Sequence, residues 1–308
     1  MKAQAQGFVW QQQGAVTIDQ FAAFIRTLIG SEIKFKGFKR LIYLKERDKY
    51  YVGLLLTIRD HKKYCELVDK GEGFEVVVNE SEENARPMDF NFFVVNKATW
   101  RGLYLWYRGS CSLRQFGNFC KVQYNGCLTN QRDIELAELA ELNDAKHHRK
   151  DERRIRRTYK SGQFSVDPLM MRGTIIQQLR RLREIKSVTW TYAVPKVNEG
   201  VFTSVKDRVV LERRHLTFNT QRSHVRQLRD LIASFFESGE ASTGLVHGKD
   251  SQGHGDTVPL NPKPEIFGMW DYDTITNNEA LDVTRVEDSP VLDLLLDTAA
   301  DNNRIFEG

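Results

Sequence analysis

Arginines recur in this sequence at spacings that place them on one face of a helix. Arg149, Arg153, Arg156 and Lys160 stand at i, i+4, i+7 and i+11, flanked by Arg154 and Arg157. Arg222, Arg226 and Arg229 repeat the pattern further on, and Arg172, Arg180, Arg181 and Arg183 lie between the two groups. A guanidinium group is planar, weakly hydrated and matched to two phosphate oxygens at once. Three such segments point to the backbone of a nucleic acid, bound with strong salt dependence and little regard to sequence. Residues 146–186 hold 13 Lys/Arg against 4 Asp/Glu, so i,i+4 ion pairs within the segment leave it basic. The competing reading is a set of solvated helix faces.

Other chemistry has weaker support. There is no GxSxG, GxxxxGK(S/T), HExxH or GxGxxG pattern. His147 and His148 lie in a charged run and read as exposed. His247 and His254 share a glycine-rich loop with Asp250 and Asp256. The acidic end carries Asp271, Asp273, Asp282, Glu287 and Asp288, which a two-metal nuclease would need clustered beside a lysine. After residue 236 the lysines are Lys249 and Lys263 alone. The expectation is therefore a non-enzyme with no catalytic residue, no metal, no cofactor and no small-molecule substrate. A metal-dependent nuclease is the alternative. Met170, Met171, Trp190 and Tyr192 read as core residues.

The 308 residues are 41% apolar and 28% charged, an ordinary globular balance. Charge is unevenly spread. Residues 1–120 carry 18 Lys/Arg and 13 Asp/Glu, residues 121–235 carry 23 and 13, and residues 236–308 carry 4 and 15. A basic middle beside an acidic end implies a polyanion partner and an internal competitor for it. On that reading, removal of residues 266–308 tightens DNA binding. No apolar run of about 18 residues occurs, and the first residues lack a signal-peptide core. Cys65, Cys111, Cys120 and Cys127 form no CxxC motif and read as reduced thiols. The expected location is cytoplasmic.

Those arginines need elements to position them. Hydrophobic periodicity predicts a helix over 16–30, then a hairpin turning at Asp48-Lys49, then strands at FNFFVVN and GLYLWYRGS. Residues 131–160, free of Gly and Pro, predict one or two helices. QFSVDPLMM predicts extended chain, Arg172-Gly173-Thr174 a turn, 175–186 a helix and SVTWTYAV a strand. Residues 220–237 predict a helix capped by Thr220, with Val225, Leu228, Leu231, Ile232 and Phe235 inward. A loose hairpin or loop follows over 240–264, and a short helix over 289–300. The fold class is α+β, with antiparallel sheets, covering helices and two subdomains. The expected divisions are an N-terminal domain at 1–130, a basic helical connector at 131–165 and a C-terminal domain at 166–308.

The segment SVDPLMMRGTIIQQLRRLREIKSVTWTYAVPK resembles the RexA-like phage-exclusion proteins, first known from phage lambda. The matching residues are Pro168, Leu169, Met170, Arg172, Gly173 and Thr174, with Met171 as one extra residue. The order of elements over 16–265 follows the same plan. The resemblance implies a dimeric, cytosolic protein of antiviral defence with an overall shape like RdgC. Such a protein binds double-stranded DNA with little sequence preference and acts with a small membrane protein encoded beside it. It implies phosphate contacts from Arg222, Arg226 and Arg229, where the family has a lysine-rich helix. A KwaB-like defence effector, also partnered with a membrane protein, is a neighbouring reading. The longer basic run at 146–160 and the acidic last 40 residues depart from the family.

Overall fold

The computed structural model describes residues 1–59, 63–69, 74–80, 86–141, 148–160, 162–170, 172–192, 195, 209, 211–219, 224–260, 264–276 and 282–307. The fold is α+β, and every strand pairing among the described residues is antiparallel. The chain opens with β1 (Lys2–Gln13), α1 (Ile18–Thr27), β2 (Ile33–Phe35), β3 (Phe38–Arg47) and β4 (Tyr50–Ile58). A separate hairpin, β5 (Lys63–Asp69) and β6 (Phe74–Glu80), precedes β7 (Met88–Asn96) and β8 (Arg101–Tyr107). Thr17 caps α1 and Gln20 closes the capping box. Asp48, at φ 51°, makes the β3–β4 turn at the predicted place.

Strand β4, YYVGLLLTI, is buried along its whole length, because both faces of the first sheet are covered. On one face lie α1 and the long helix α2 (Leu113–Glu141), with Phe8, Trp10, Phe21, Phe93, Phe116, Tyr124 and Phe164 interlocked. On the other lie helices from the end of the chain, with Val52, Leu54, Leu103, Leu292, Leu295 and Phe306. Helix α3 (His148–Thr158) folds back on α2, burying Ile155, and Tyr159 donates to Glu135 at 2.5 Å.

Strand β9 (Gln163–Pro168) returns to β1, and the chain then leaves to build a second unit. This unit contains α4 (Arg172–Leu179), β10 (Glu184–Tyr192), β11 (Arg213–Thr217), α5 (Val225–Glu237), β12 (Ala241–Lys249) and β13 (Gly255–Leu260). Its four strands run in the order β11-β10-β12-β13, and α4 and α5 cover one face. The chain re-enters the first sheet as β14 (Ile266–Asp271) and ends in α6 (Tyr272–Thr276), a 3₁₀ turn (Val283–Asp288), α7 (Pro290–Asp301) and α8 (Asn303–Phe306). β14 and β9 share one edge of β1, the first against Lys2–Gln6 and the second against Phe8–Gln13. Gly7 lies in the gap. Its C=O accepts from Leu169 N–H and its N–H donates to Glu265 C=O, so both crossings are pinned at one residue. A Cβ there would sit 2.3 Å from the Phe267 ring.

The divisions expected at 130 and 165 are thus displaced. α2 is continuous across 130, and β9 belongs to the first sheet across 165. The unit expected over 166–308 surrenders its end, since the apolar stripe of α7 needs the free face of the first sheet. α4 ends at Leu179 rather than 186, because Leu182 and Ile185 are drawn into the second core. Arg172 to Thr174, expected as a turn, form the first turn of α4. On α5 the buried stripe includes Ala233 and Phe236, while Leu231 is exposed. The expected Thr220 cap lies outside the described residues.

Gln11 donates to Gly239 C=O and Gln163 to Val209 C=O, tying the two units together. Beside them Asp167 is partly buried, one carboxylate oxygen lacks a hydrogen-bond partner, and burial pushes its pKa up. A buried ionised carboxylate without full pairing costs about 1 kcal/mol or more. Asp167→Asn is therefore expected to raise the melting temperature at pH 8 by on the order of 2–4 °C. The gain should shrink at lower pH, where wild-type Asp167 takes up its proton. Scanning calorimetry at pH 8 and pH 5 checks this; no gain at pH 8 contradicts it.

Candidate nucleic-acid interface

α4 and α5 pack side by side on the second sheet, and this packing gathers three of the predicted arginines. Val225, Ile232, Ala233 and Phe236 face the sheet and fix the rotation of α5. One flank of α5 then turns toward α4, carrying Arg226 and Arg229, one helical turn apart. Arg229 is half-buried and donates from Nη2 to the C=O of Leu182, in the turn after α4, while its Nε is buried without a partner. Its pKa is held below the usual arginine value by burial, and then by the positive charges of Arg180 and Arg226. Arg180 stands at the end of α4, exposed, as is Arg226. Among the described residues, no carboxylate lies within salt-bridge distance of these three guanidinium groups. Arg183 follows in the same turn, held by its backbone N–H to Lys249 C=O at 2.7 Å, with its side chain exposed.

The other predicted residues divide differently. Arg181 turns to the far side of α4, where it pairs with Asp256 at 3.1 Å and donates to Thr257 C=O at 2.6 Å. Having a carboxylate of its own, it does not join the cluster. On α3, Arg154 pairs with Asp151 at 3.5 Å and Arg156 with Glu152 at 2.9 Å. Arg149, Arg153, Arg157 and Lys160 are exposed there. This ladder rides on α2 of the first unit, so it forms a second basic surface on a different element from the α4–α5 cluster. The Arg172 side chain and all of Arg222 lie outside the described residues. Two further basic residues escaped the helical pattern. Arg213 and Arg214 adjoin on β11 and so point to opposite sheet faces. Arg214 is folded over the Tyr192 ring, 5.1 Å from its centroid, and pairs with Glu212 at 2.8 Å.

Among the described residues, four carboxylates of the acidic end are engaged by the first unit rather than by the cluster. Asp271 pairs with Lys2 at 2.8 Å, Glu287 with Lys45 at 3.7 Å, Asp293 with Arg47 at 2.7 Å and Glu307 with Lys49 at 2.5 Å. Asp282 caps the 3₁₀ turn through Thr284, and Asp288 pairs with Arg285. The segment is a layer of the first unit, seated on the basic rim of β1, β3 and the β3–β4 turn. Asp271, Glu287, Asp293 and Glu307 are spread along that rim, while Asp273, Asp297 and Asp301 are exposed. His247 and His254 fall on the β12–β13 hairpin, where His247 meets Thr257 at 2.9 Å and His254 meets Asp250 at 3.8 Å. Among the described residues, no group of three or more His, Cys, Asp or Glu could hold a metal ion, and no helix is long and apolar enough to cross a membrane. Cys111, Cys120 and Cys127 are free thiols, buried in the first core. No protein-family model matches the chain, and no curated protein matches it.

Proposed function

We propose that this protein binds double-stranded DNA through the phosphate backbone, without reading sequence, and that Arg180, Arg226 and Arg229 are the centre of the contact. One observation carries the reading: three guanidinium groups converge at the α4–α5 junction without a carboxylate among the described residues to neutralise them. Like charges held together by packing are relieved by an anion, and a phosphate accepts two N–H bonds from one guanidinium. The exposed cations of α3 offer a second place for backbone contact. The protein then acts by holding DNA rather than by cutting it.

The PLMxRGT-like segment at 168–174, whose Arg172 to Thr174 open α4, supports a role in phage exclusion as a cytoplasmic homodimer. On this reading its partners are duplex DNA and a small membrane protein. A random 40-base-pair duplex, labelled and titrated by fluorescence anisotropy, tests the DNA reading. Binding at micromolar concentration or tighter at about 50 mM salt is expected. Affinity should be equal for unrelated sequences, and the duplex should stay intact in Mg²⁺. Sequence-dependent affinity, metal-dependent cuts or no binding at low salt each contradict it.

A further inference from the structure

Arg40 of β3 is only 2% exposed, on the face of the first sheet that α2 covers. Among the described residues, no carboxylate lies within salt-bridge distance of it. Its guanidinium lies against the rings of Phe35 and Phe119, 4.9 and 5.6 Å from their centroids. Nη1 donates to Gln115 C=O at 3.3 Å, and Nε is buried without a partner. An arginine is almost never fully buried unless it is paired, because a bare charge gives up its hydration for nothing. The carboxylate in the same row of the sheet belongs to Asp89, and Arg59 takes it, donating to its two oxygens at 2.9 and 3.2 Å.

Two more buried polar atoms without partners lie on the same face. Thr57 of β4 stands directly opposite Arg40, and its Oγ1 has no partner. Asn91 of β7 is buried two residues on from Asp89, which stands opposite Thr57. Its Nδ2 donates to Leu105 C=O and to Ser110 Oγ, both at 2.9 Å. These two bonds fix the amide and leave Oδ1 buried and unpaired. One short segment roofs the group. Asn91 reaches its start at Ser110, and Arg40 reaches its end at Gln115, in the first turn of α2. The N-terminus of α2 adds positive potential, and its first turn holds Arg114 and no acidic residue.

We infer that a monovalent anion of chloride size binds between Arg40 and Thr57, inside the first unit. It accepts the Nε–H of Arg40 and the Oγ–H of Thr57. One water completes the set, giving one hydrogen to the anion and the other to Asn91 Oδ1, so all three orphaned atoms gain partners. Water alone would meet the hydrogen bonds and leave the guanidinium charge uncompensated. A single negative charge balances it, and the positive end of α2 favours the same sign. The site uses none of the arginines assigned to DNA. The anion is then a component of the fold, and stability follows its concentration.

Thermal unfolding of the full chain at fixed ionic strength tests this, with chloride exchanged for gluconate, which is too bulky for a buried site of this kind. For a millimolar site, the wild type is expected to melt about 5 °C higher in about 100 mM chloride than in about 1 mM. Arg40→Met keeps the apolar stem and removes the charge, so it should fold and lose the chloride dependence. A variant with Arg180, Arg226 and Arg229 replaced by glutamine should keep the dependence in full, which separates this site from the surface cluster and from the DNA reading. Crystals grown in bromide should show an anomalous peak within hydrogen-bond reach of Arg40 Nε, and this measurement decides alone should Arg40→Met misfold. A wild-type melt indifferent to chloride, a response retained by Arg40→Met, or bromide absent from Arg40 overturns the inference.

Discussion

A chain ending at Glu265 is expected to lose its near-ultraviolet circular dichroism and to unfold at room temperature. The acidic composition of residues 266–308 by itself suggests an appended competitor for DNA, whose removal would tighten binding. The structure makes the same residues one layer of the first unit. Ile275, Val286, Val291, Leu292, Leu295 and Phe306 are all at most 5% exposed. At about 1.5–3 kcal/mol for each buried side chain, their loss is on the order of 10 kcal/mol, comparable to the whole stability of a typical protein. Removal also strips one face of β4 and leaves β1 without β14. A single substitution separates packing from charge. Leu295→Ala is expected to cost about 2–5 kcal/mol, lowering the urea midpoint without changing the slope. A truncated chain that keeps its near-ultraviolet signal, or a Leu295→Ala midpoint equal to wild type, contradicts this account of the C-terminal layer.

Replacing Arg180, Arg226 and Arg229 together by glutamine is expected to weaken duplex binding by on the order of 10²- to 10³-fold at about 100 mM salt, from roughly 1 kcal/mol for each lost phosphate contact. The fold should tolerate the change, since Arg180 and Arg226 are exposed and Arg229→Gln removes a desolvated cation from a like-charged neighbourhood. Arg181→Gln serves as the contrast. That side chain is engaged with Asp256 and Thr257 on the far side of α4, so its loss should change affinity little. Glutamine at Arg149, Arg153 and Arg157 of α3 should have a smaller effect than the cluster variant, because these groups are dispersed along a solvated helix. Anisotropy titrations of the four proteins at one salt concentration rank them. An Arg181→Gln loss equal to that of the triple variant would remove the cluster from the centre of the contact.

Local pattern carried the elements whose signals are local. The β3–β4 hairpin follows from alternating apolar residues around Asp48-Lys49, and α1 from five apolar side chains at helical spacing before Gly30. Helix α2 starts at Leu113, well before the helices that the pattern predicts over 131–160. Gly117 and Gly126 argue against a helix by propensity, yet Gly117 sits where a Cβ would meet the Cβ of Val166 at 3.1 Å, so its absence lets β9 approach α2. The helix expected over 175–186 rests on Ile176, Leu179 and Leu182 at one-face spacing. Leu182 is buried as that pattern asks, but after the helix has ended, and Ile185 already belongs to β10. Convergence of Arg180 with Arg226 and Arg229 was not legible as such, because 46 residues separate them and their meeting depends on α4–α5 packing. The return of β14 to β1 was invisible for a related reason. IFGMWD carries no alternation strong enough to name its partner, and that partner stands at the other end of the chain.

The salt dependence of duplex binding tests the central claim most directly. For B-form DNA the slope of log K against log salt is about −0.9 for each phosphate neutralised. Anisotropy titrations from about 50 to 300 mM salt, on wild type and on the Arg180, Arg226 and Arg229 glutamine variant, give both slopes. The account predicts a steep wild-type slope and a variant slope shallower by about 2 to 3 units, as three lost phosphate contacts require. Equal slopes for the two proteins, or wild-type binding indifferent to salt, would contradict it.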